Sequence, residues 1–246
     1  MAHYRPPEET AYIRWQVISV SVRLFLEQGY SRTTIKDISA AAGISAGTIM
    51  KVMKSKEDIL AQLIEKLAEF QWNTVRTLVN EGETPLAALG FELTAMSVVC
   101  EESEVARDLY ISAYTSDKSL EIIRKNDMAR AREVFGQFCP DWTEDHFAEA
   151  ETLVSGIEYT TLRVTPSSPP LETRIAGAMD TIFRLYHVPE EQRQRKIRKA
   201  LDMDYRQFAR KVLSDFKDYA EQSTRRERDR AAHRREERRT RRETPS

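Results

Sequence analysis

The sequence has few residues of the kinds that form disulfides or bind metals. It contains two cysteines and four histidines, and Cys100 and Cys139 are isolated from each other and from any histidine at metal-ligand spacing. A disulfide framework or a zinc site is therefore not expected, and neither a metal nor a cofactor is predicted. Both cysteines are predicted to be core thiols, with a redox sensor built on one of them as the alternative.

Long apolar runs are also missing. A membrane-spanning helix needs about 18 apolar residues in succession, and the chain has no such run. Residues 1–9 lack the apolar stretch of a signal peptide. The hydrophobic content of 41% is nevertheless enough for a core in one large or two small domains. We therefore expect a cytoplasmic protein with no membrane partner.

No alternating pattern of useful length predicts a strand, and no internal repeat is visible. Apolar residues instead recur at helical spacing, with breaks at proline, glycine and serine positions. The central predicted helices cover residues 56–79, 84–102, 104–114, 118–138, 143–164 and 170–187. A last helix is predicted from Pro189, because an apolar stripe with a period of about 3.67 residues runs from Ile197 to Tyr219. The sequence thus predicts an all-α chain.

The net charge of −1 hides an uneven distribution of charge. Residues 1–60 carry a net +2 and residues 224–246 a net +5, which leaves −8 for the segment between them. The ends are therefore better candidates for a nucleic-acid surface than the middle. The C-terminal end, rich in arginine, has no apolar stripe. We favour a solvated tail over a DNA-contacting arm, because its interspersed acids dilute the positive field.

Residues 33–60 have the pattern of a helix-turn-helix. Thr33 and Thr34 can cap a first helix, and Asp37 suits the positive end of its dipole. Gly43 ends this helix, since a tight turn between crossed helices needs a residue that tolerates positive φ. Ser45 can cap the second helix. A helical hairpin within an ordinary core is the alternative interpretation.

The second helix presents small residues at its start, Ala46, Gly47 and Thr48, and a lysine one turn later, Lys51. A helix fits the major groove of B-DNA, where its N-terminal residues reach the base edges. Between residues 31 and 56 there are five basic residues and one acid, as phosphate binding requires. The pattern therefore favours DNA binding by this segment.

The same residues also spell an enzyme motif. Residues 43–47 match G-x-S-x-G, the nucleophile elbow of hydrolases, which needs a strand before the serine and a helix after it. The residues before Ser45 instead have a helical pattern, and no histidine lies in a recognisable triad context. We therefore predict that the protein is not an enzyme.

This N-terminal quarter of the chain resembles the DNA-binding domain of the TetR/AcrR family of bacterial transcriptional regulators. The resemblance begins in the preceding helix and continues through both helices of the motif. The residues that carry it are Ile18, Phe25, Gly29, Tyr30, Thr33, Thr34, Asp37, Ile38, Ala42, Gly43, Ile44, Ser45, Gly47, Thr48, Lys56, Glu57 and Leu60.

One departure from the family concerns the end of the recognition helix. Where the family usually carries an aromatic run, this chain has Met50, Lys51, Val52 and Met53. Met53 can replace a buried phenylalanine, because methionine adapts to irregular cavities. The family's aromatic side chains commonly contact the DNA backbone, and Lys51 is predicted to supply that contact instead.

The resemblance implies a helix-turn-helix DNA-binding domain at 1–60, a larger helical ligand-binding and dimerisation domain at 61–222, and an Arg-rich tail at 223–246. The predicted DNA-binding residues are Thr33, Thr34, Lys36, Ser45, Ala46, Gly47, Thr48, Lys51 and Lys56.

A ligand pocket and a dimer interface are expected in the larger domain. Aromatic and soft apolar side chains are the candidate walls of the pocket: Trp72, Phe91, Met96, Tyr110, Tyr114 and Phe135. Two apolar stripes on the late helices are assigned to the dimer interface: Phe147, Ala150, Val154, Ile157, Thr161, Ile175, Met179, Ile182 and Tyr186. The helical periodicity alone would also fit a core within one chain. The resemblance to the family favours the dimer interface.

The function that the resemblance implies is that of a homodimeric transcriptional regulator. It would bind a double-stranded DNA operator and act as a repressor that a small-molecule effector releases. The alternative is a TetR-like helical protein-interaction module that has lost DNA binding, which the missing aromatic residues make conceivable.

Overall fold

The computed structural model describes residues 7–216, 218 and 222, and within these residues it contains helices and no strand. The helices are α1 (Pro7–Gln28), α2 (Ile35–Ala42), α3 (Ala46–Met53), α4 (Lys56–Asn80), α5 (Pro85–Glu102), α6 (Glu104–Thr115), α7 (Asp117–Phe135), α8 (Glu144–Leu162), α9 (Leu171–Leu185) and α10 (Glu190–Asp202). A further helical segment covers residues 205–216. The predicted all-α fold is confirmed.

Two large apolar cores organise these helices. The first joins α1, α2 and α3 to α4, and the second joins α5, α7, α8 and α9. The predicted domain boundary at residue 60 falls inside α4, and the first core continues beyond it through Leu63, Leu67 and Phe70. Helix α4 is therefore a structural part of the N-terminal unit as well as its connection to the rest of the chain.

The stripes assigned to a dimer interface lie in the protein's own core, so this prediction is wrong. Ile157 is half-buried, and the other members of the stripes are buried: Phe147, Ala150, Val154, Thr161, Ile175, Met179, Ile182 and Tyr186. Their faces are covered by α5 and α7, which pack against α8 and α9. A stripe at three-four spacing shows that a helix face is buried, but it does not show whether the same chain or a second copy buries it.

The predicted last helix is in fact two helices. Helix α10 ends at Asp202, the backbone of Met203 is extended, and a new helix begins after Asp204. The carboxylate of Asp204 accepts a hydrogen bond from the Gln207 N–H at 3.0 Å, as a helix N-cap does. The predicted packing of the stripe along the protein body is confirmed for its described part. Tyr219 and the tail at 223–246 lie outside the described residues.

The prediction that both cysteines are core thiols is confirmed. Cys100 and Cys139 are free and buried, and burial raises the pKa of Cys100 to about 12 and also raises the pKa of Cys139. A redox sensor depends on thiolate, which burial disfavours. In the described part of the chain, no helix has the length and apolarity to cross a bilayer, and no three His, Cys, Asp or Glu side chains are grouped to hold a metal ion.

Candidate DNA-binding and effector sites

The helix-turn-helix is held by the caps that the sequence predicts, with one exception. Thr34 and Asp37 form a capping box, in which the Thr34 N–H donates to the Asp37 carboxylate at 2.9 Å. This bonding lowers the pKa of Asp37. Gly43 has a φ of 65°, and the Ser45 hydroxyl accepts the Thr48 N–H at 3.2 Å. Thr33 does not cap, because its hydroxyl donates to the Gly29 carbonyl at 2.7 Å.

One face of α3 is available to a ligand outside the protein. Ile49, Val52 and Met53 face the core, and Met53 is only 2% exposed, so it occupies the buried place predicted for it. The opposite face carries the exposed residues Ala46, Gly47, Met50, Lys51 and Lys54. No atom lies within 4 Å of a Cβ built on Gly47, so nothing in the described part of the protein covers the start of this helix.

Thr33 and Lys56, both predicted to bind DNA, make contacts with distant parts of the protein or its core. The Thr33 side chain is fully buried, so its predicted DNA contact is wrong. The Lys56 ammonium donates to the carbonyls of Tyr30 and Thr33 at 3.1 and 3.0 Å and lies 4.1 Å from the centre of the Tyr30 ring. Lys56 therefore fixes the loop before α2 to the start of α4, and we assign it a positioning role.

Helix α1 braces the ends of the two shorter helices. The Gln16 side-chain amide donates to the Ala42 carbonyl at 2.8 Å, at the end of α2. The Arg14 guanidinium donates to the Val52 carbonyl at 3.4 Å, near the end of α3. Helix ends leave carbonyls without intrahelical partners, and these long-range bonds satisfy two of them. The three helices therefore form a rigid support for the exposed face of α3.

A cavity of about 80 Å³ lies among α4 to α9. It is lined by four of the six predicted wall residues, namely Met96, Tyr110, Tyr114 and Phe135. Trp72 and Phe91 do not line it, so this part of the prediction is wrong. The guanidinium groups of Arg76 and Arg130 lie 5.0 and 5.2 Å from the centre of the Trp72 ring. Phe91 packs edge-on against Phe208, with 6.2 Å between ring centres.

The cavity also contains a charged cluster that the sequence analysis missed. Its members are Glu92, Asp127, Arg130, Glu151 and Glu158. Arg130 is paired with Glu92 and lies 3.3 Å from the Asp127 carboxylate. The hydroxyl of Tyr114 donates to Glu158 at 2.8 Å, and that of Tyr186 donates to Glu151. Tyr186, assigned from the sequence to a dimer interface, is thus a wall of the cavity.

A signal for these acids does exist in the sequence. Glu151 and Glu158 are seven residues apart on α8, and each follows a member of the apolar stripe, Phe147 or Val154, by four residues. This spacing places all four residues on one helix face. A carboxylate on a buried face is costly unless it is paired or functional, which marks the two acids as unusual.

Burial changes the acidity of the cluster. It raises the pKa of Glu151 to about 8 and that of Asp127 to about 6, and it raises the pKa of Glu158 well above its ordinary value. For Asp127 the nearby Arg130 opposes this rise, while Glu92 adds to it. Carboxyl groups crowded in one cavity cannot all ionise cheaply without a countercharge. At neutral pH part of the cluster therefore holds protons.

Helix α6 contacts both the cavity and the helix-turn-helix. Tyr110 and Tyr114 line the cavity, and Asp108 on the same helix accepts the Ser31 N–H at 2.7 Å. Ser31 lies in the loop before α2. A second link joins α7 to α4, where the Lys118 ammonium is 2.6 Å from the Asp58 carboxylate. The two sites are therefore connected through contacts that α6 and α7 make with the N-terminal unit.

The hydrolase motif at residues 43–47 has a different geometry from a nucleophile elbow. Helix α2 precedes it, where the elbow requires a strand. The Ser45 hydroxyl donates to the Thr48 hydroxyl at 3.0 Å and caps α3. This serine acts as the turn residue of the helix-turn-helix.

Comparison with known proteins agrees with this geometry. The family model described as bacterial regulatory proteins, tetR family, matches residues 17–63. These residues form a TetR-family helix-turn-helix domain. The resemblance found in the sequence is thus confirmed, and the match covers α2, α3, most of α1 and the start of α4.

Curated relatives match part of the chain. The transcriptional regulator HbdR of Aromatoleum sp. (strain CIB) is 31% identical over 112 residues, which are 46% of this chain and 48% of HbdR. The transcriptional repressor KstR2 of Mycolicibacterium smegmatis is 24% identical over 34% of this chain and 40% of its own length. The regulator TtgR of Pseudomonas putida is 31% identical over 35% of this chain and 41% of its own length. The chain spans less than half the length of these relatives.

Solved structures share the fold over a larger part of the chain. RolR in complex with resorcinol has a TM-score of 0.64 at 15% identity, and it covers 78% of this chain and 96% of its own. The TetR-family repressor FadR of Thermus thermophilus, in complex with lauroyl-CoA, has a TM-score of 0.53 at 20% identity. It covers 70% of this chain and 92% of its own. The larger helical unit behind the N-terminal domain therefore shares its fold with these two solved structures.

Proposed function

We propose that the protein is a DNA-binding transcriptional regulator of the cytoplasm, a repressor that a small molecule in the cavity releases from its operator. The observation that carries the proposal is the exposed face of α3, held on a braced scaffold that α6 connects to the cavity. The family match of residues 17–63 and the relatives that are transcriptional regulators support it.

The exposed residues of α3 suit a helix that enters the major groove. Ala46 and Gly47 allow the helix backbone to come close to the base pairs, and the half-buried Thr48 adds a hydroxyl group in the same first turn. Lys51 supplies a positive charge one turn later, and Lys36 supplies another from the exposed face of α2. Such charges neutralise phosphates and account for most of the sequence-independent affinity.

The cavity can influence this surface through two helices. Helix α6 carries cavity residues and the Asp108 bond to Ser31, while α4 contributes Ile64 and Gln71 to the cavity and begins at Lys56. A ligand that changes the position of either helix also changes the support of α2 and α3. Such a ligand shifts the equilibrium only by its preference for one of the two arrangements.

We propose a homodimer that forms through the outer faces of α8 and α9. On α8 the exposed face carries small residues at a spacing of four, Ala148, Thr152, Gly156 and Thr160, and on α9 it carries Thr173, Gly177 and Thr181. Leu153 is 53% exposed beside them. Small side chains allow helices of two copies to approach closely. A dimer places two recognition helices about one helical turn of DNA apart, roughly 34 Å.

The competing function is a helical interaction module that has lost DNA binding. It is favoured by Met50, which is 43% exposed at a position where the family commonly has an aromatic contact to the DNA backbone. A measurement of DNA binding by the protein distinguishes the two functions, because only the regulator binds DNA.

The proposal is tested with DNA that flanks the protein's own coding region. We expect one labelled duplex from this region to bind in fluorescence anisotropy and to resist competition by unrelated DNA. The affinity should fall steeply as salt increases, because binding releases counterions from neutralised phosphates. Equal competition by every unrelated duplex would favour the interaction module.

Lys51→Ala should weaken binding to operator and unrelated DNA to the same extent. Because the variant neutralises one phosphate fewer, the slope of log affinity against log salt should decrease by about one unit. The matched control is Lys125→Ala, which removes the same charge from an exposed position on α7. An unchanged salt slope for Lys51→Ala, or a slope that changes equally in the control, contradicts the proposed contact.

A further inference from the structure

The charge balance of the cavity indicates which ligands it accepts. Four carboxyl groups line it, from Glu92, Asp127, Glu151 and Glu158, and Arg130 is the one cation among the described residues that line it. Arg130 is already engaged by Glu92 and Asp127. Arg130 also interacts electrostatically with Glu151 and Glu158, so among the described residues of the cavity one cation faces four carboxyl groups. A ligand with a negative group would add a further charge of the same sign to this enclosed space.

A second feature of the cavity is the carboxyl group of Glu151. Its side chain lines the cavity although the residue is only 4% exposed. One of its carboxylate oxygens accepts the Tyr186 hydroxyl, and the other accepts no hydrogen bond from any described residue. A buried carboxylate is stable when hydrogen bonds or a countercharge satisfy it, and here one oxygen remains available to a donor within the cavity.

The rest of the wall fits an apolar body attached to a cation. Ile64, Leu67, Ile123 and Phe135 supply apolar surface, and the rings of Tyr110, Tyr114 and Tyr186 also line the space. Aromatic faces attract cations through their quadrupoles, and the attraction strengthens when water is excluded. The acidic cluster and the aromatic walls therefore favour the same kind of ligand.

We propose that the effector is a small organic cation, an amine or guanidine on an apolar or aromatic body, whose charged group binds between Glu151, Glu158 and Asp127. This inference rests on the proposed function, because it names the class of ligand for the same cavity. The cation replaces the protons that the crowded carboxyls hold in the free protein. Binding therefore releases protons at neutral pH.

The groups that titrate or carry charge around this position come from α5, α6, α7 and α8 and from the residue after α9, while α4 and α9 themselves contribute only uncharged side chains. They are Glu92 on α5, Tyr110 and Tyr114 on α6, Asp127 and Arg130 on α7, Glu151 and Glu158 on α8, and Tyr186 after α9. Burial raises the pKa of each of the three tyrosines, so these hydroxyls stay protonated at neutral pH. The released protons come from the carboxyls.

The test compares three probes that share one body and differ in the charge of the head group: phenethylamine, 2-phenylethanol and phenylacetate. Isothermal titration calorimetry with the full chain at pH 7 should show that phenethylamine binds at least about tenfold more tightly than the alcohol, because a tenfold change needs only about 1.4 kcal/mol of charge interaction. Phenylacetate should not bind. Titrations in buffers of different ionisation enthalpy should show net proton release for the amine alone.

Two variants locate the charged group. Glu151→Gln and Glu158→Gln keep the shape of the side chain. Each should weaken the binding of phenethylamine about tenfold and reduce the release of protons on binding. Glu149→Gln is the matched control, since Glu149 is exposed on the same helix. Binding of the alcohol or the acid as tight as that of the amine, or no binding of the amine to the wild-type protein, overturns the inference.

The same probes separate this inference from the proposed function. DNA affinity is measured by anisotropy with and without each probe. Phenethylamine that binds without any effect on DNA affinity supports the cation site and contradicts effector release. Release of DNA by phenylacetate supports the proposed function and overturns the cation site.

Discussion

Leu153→Glu combined with Gly177→Glu is expected to convert the proposed dimer into a monomer and to weaken operator binding by about 10²-fold or more, because two linked recognition helices bind far more tightly than one. Both positions are exposed on the described chain, and a Cβ at Gly177 meets no atom within 4 Å. The double variant should therefore fold normally. Sedimentation velocity gives the mass of the species, and anisotropy gives the operator affinity.

The matched control for the dimer is Ala129→Glu combined with Gln137→Glu. It adds the same two negative charges in and after α7, away from the proposed interface. It should remain a dimer and retain most of the operator affinity. A Leu153/Gly177 variant that still sediments as a dimer would show that copies of the chain associate through another surface.

Phe135→Ala is expected to lower the free energy of unfolding by about 3 to 5 kcal/mol. Phe135 is 1% exposed, stacks on Tyr186 with 4.1 Å between ring centres, and lines the cavity. Its removal enlarges a cavity that already exists, so the surroundings have little opportunity to fill the gap. Urea unfolding, followed by circular dichroism, measures the change.

Phe138→Ala provides the comparison for this loss of stability. It deletes the same ring at a half-buried position three residues later, just beyond the end of α7. Its effect should be less than half as large, because less apolar surface leaves water on folding. Similar losses from the two variants would mean that Phe135 does not have the packing described for it.

The local rules of helix formation explain why the N-terminal unit could be predicted in detail. Thr34, Gly43 and Ser45 act through hydrogen bonds and backbone angles within a few residues, so their roles are visible in the sequence. The prediction for Thr33 was wrong because Thr34 is the N-cap of α2 and the Thr33 side chain lies in the core. The contacts of Lys56 could not be predicted, because its partners are carbonyls more than twenty residues earlier, which no local pattern reveals.

The cavity and the interface depend on contacts between distant segments. The stripes on α8 and α9 correctly indicated buried faces, but they could not show that α5 and α7 of the same chain cover them. Trp72 was predicted to line the cavity, yet two arginines engage its ring. The acids of the cavity come from α5, α7 and α8, so only the folded chain brings them together.

The central claim is that the start of α3 binds the major groove of DNA, and Gly47→Glu tests it most directly. Open space surrounds the position, and an acidic residue in the first turn suits the helix dipole, so the fold should be retained. The measurement is the anisotropy affinity for the duplex selected from the flanking DNA, with Gly47→Ala as the control for size. A carboxylate among base edges and phosphates should abolish specific binding, whereas alanine should preserve most of it. Wild-type affinity in the Gly47→Glu variant would contradict groove binding by this helix.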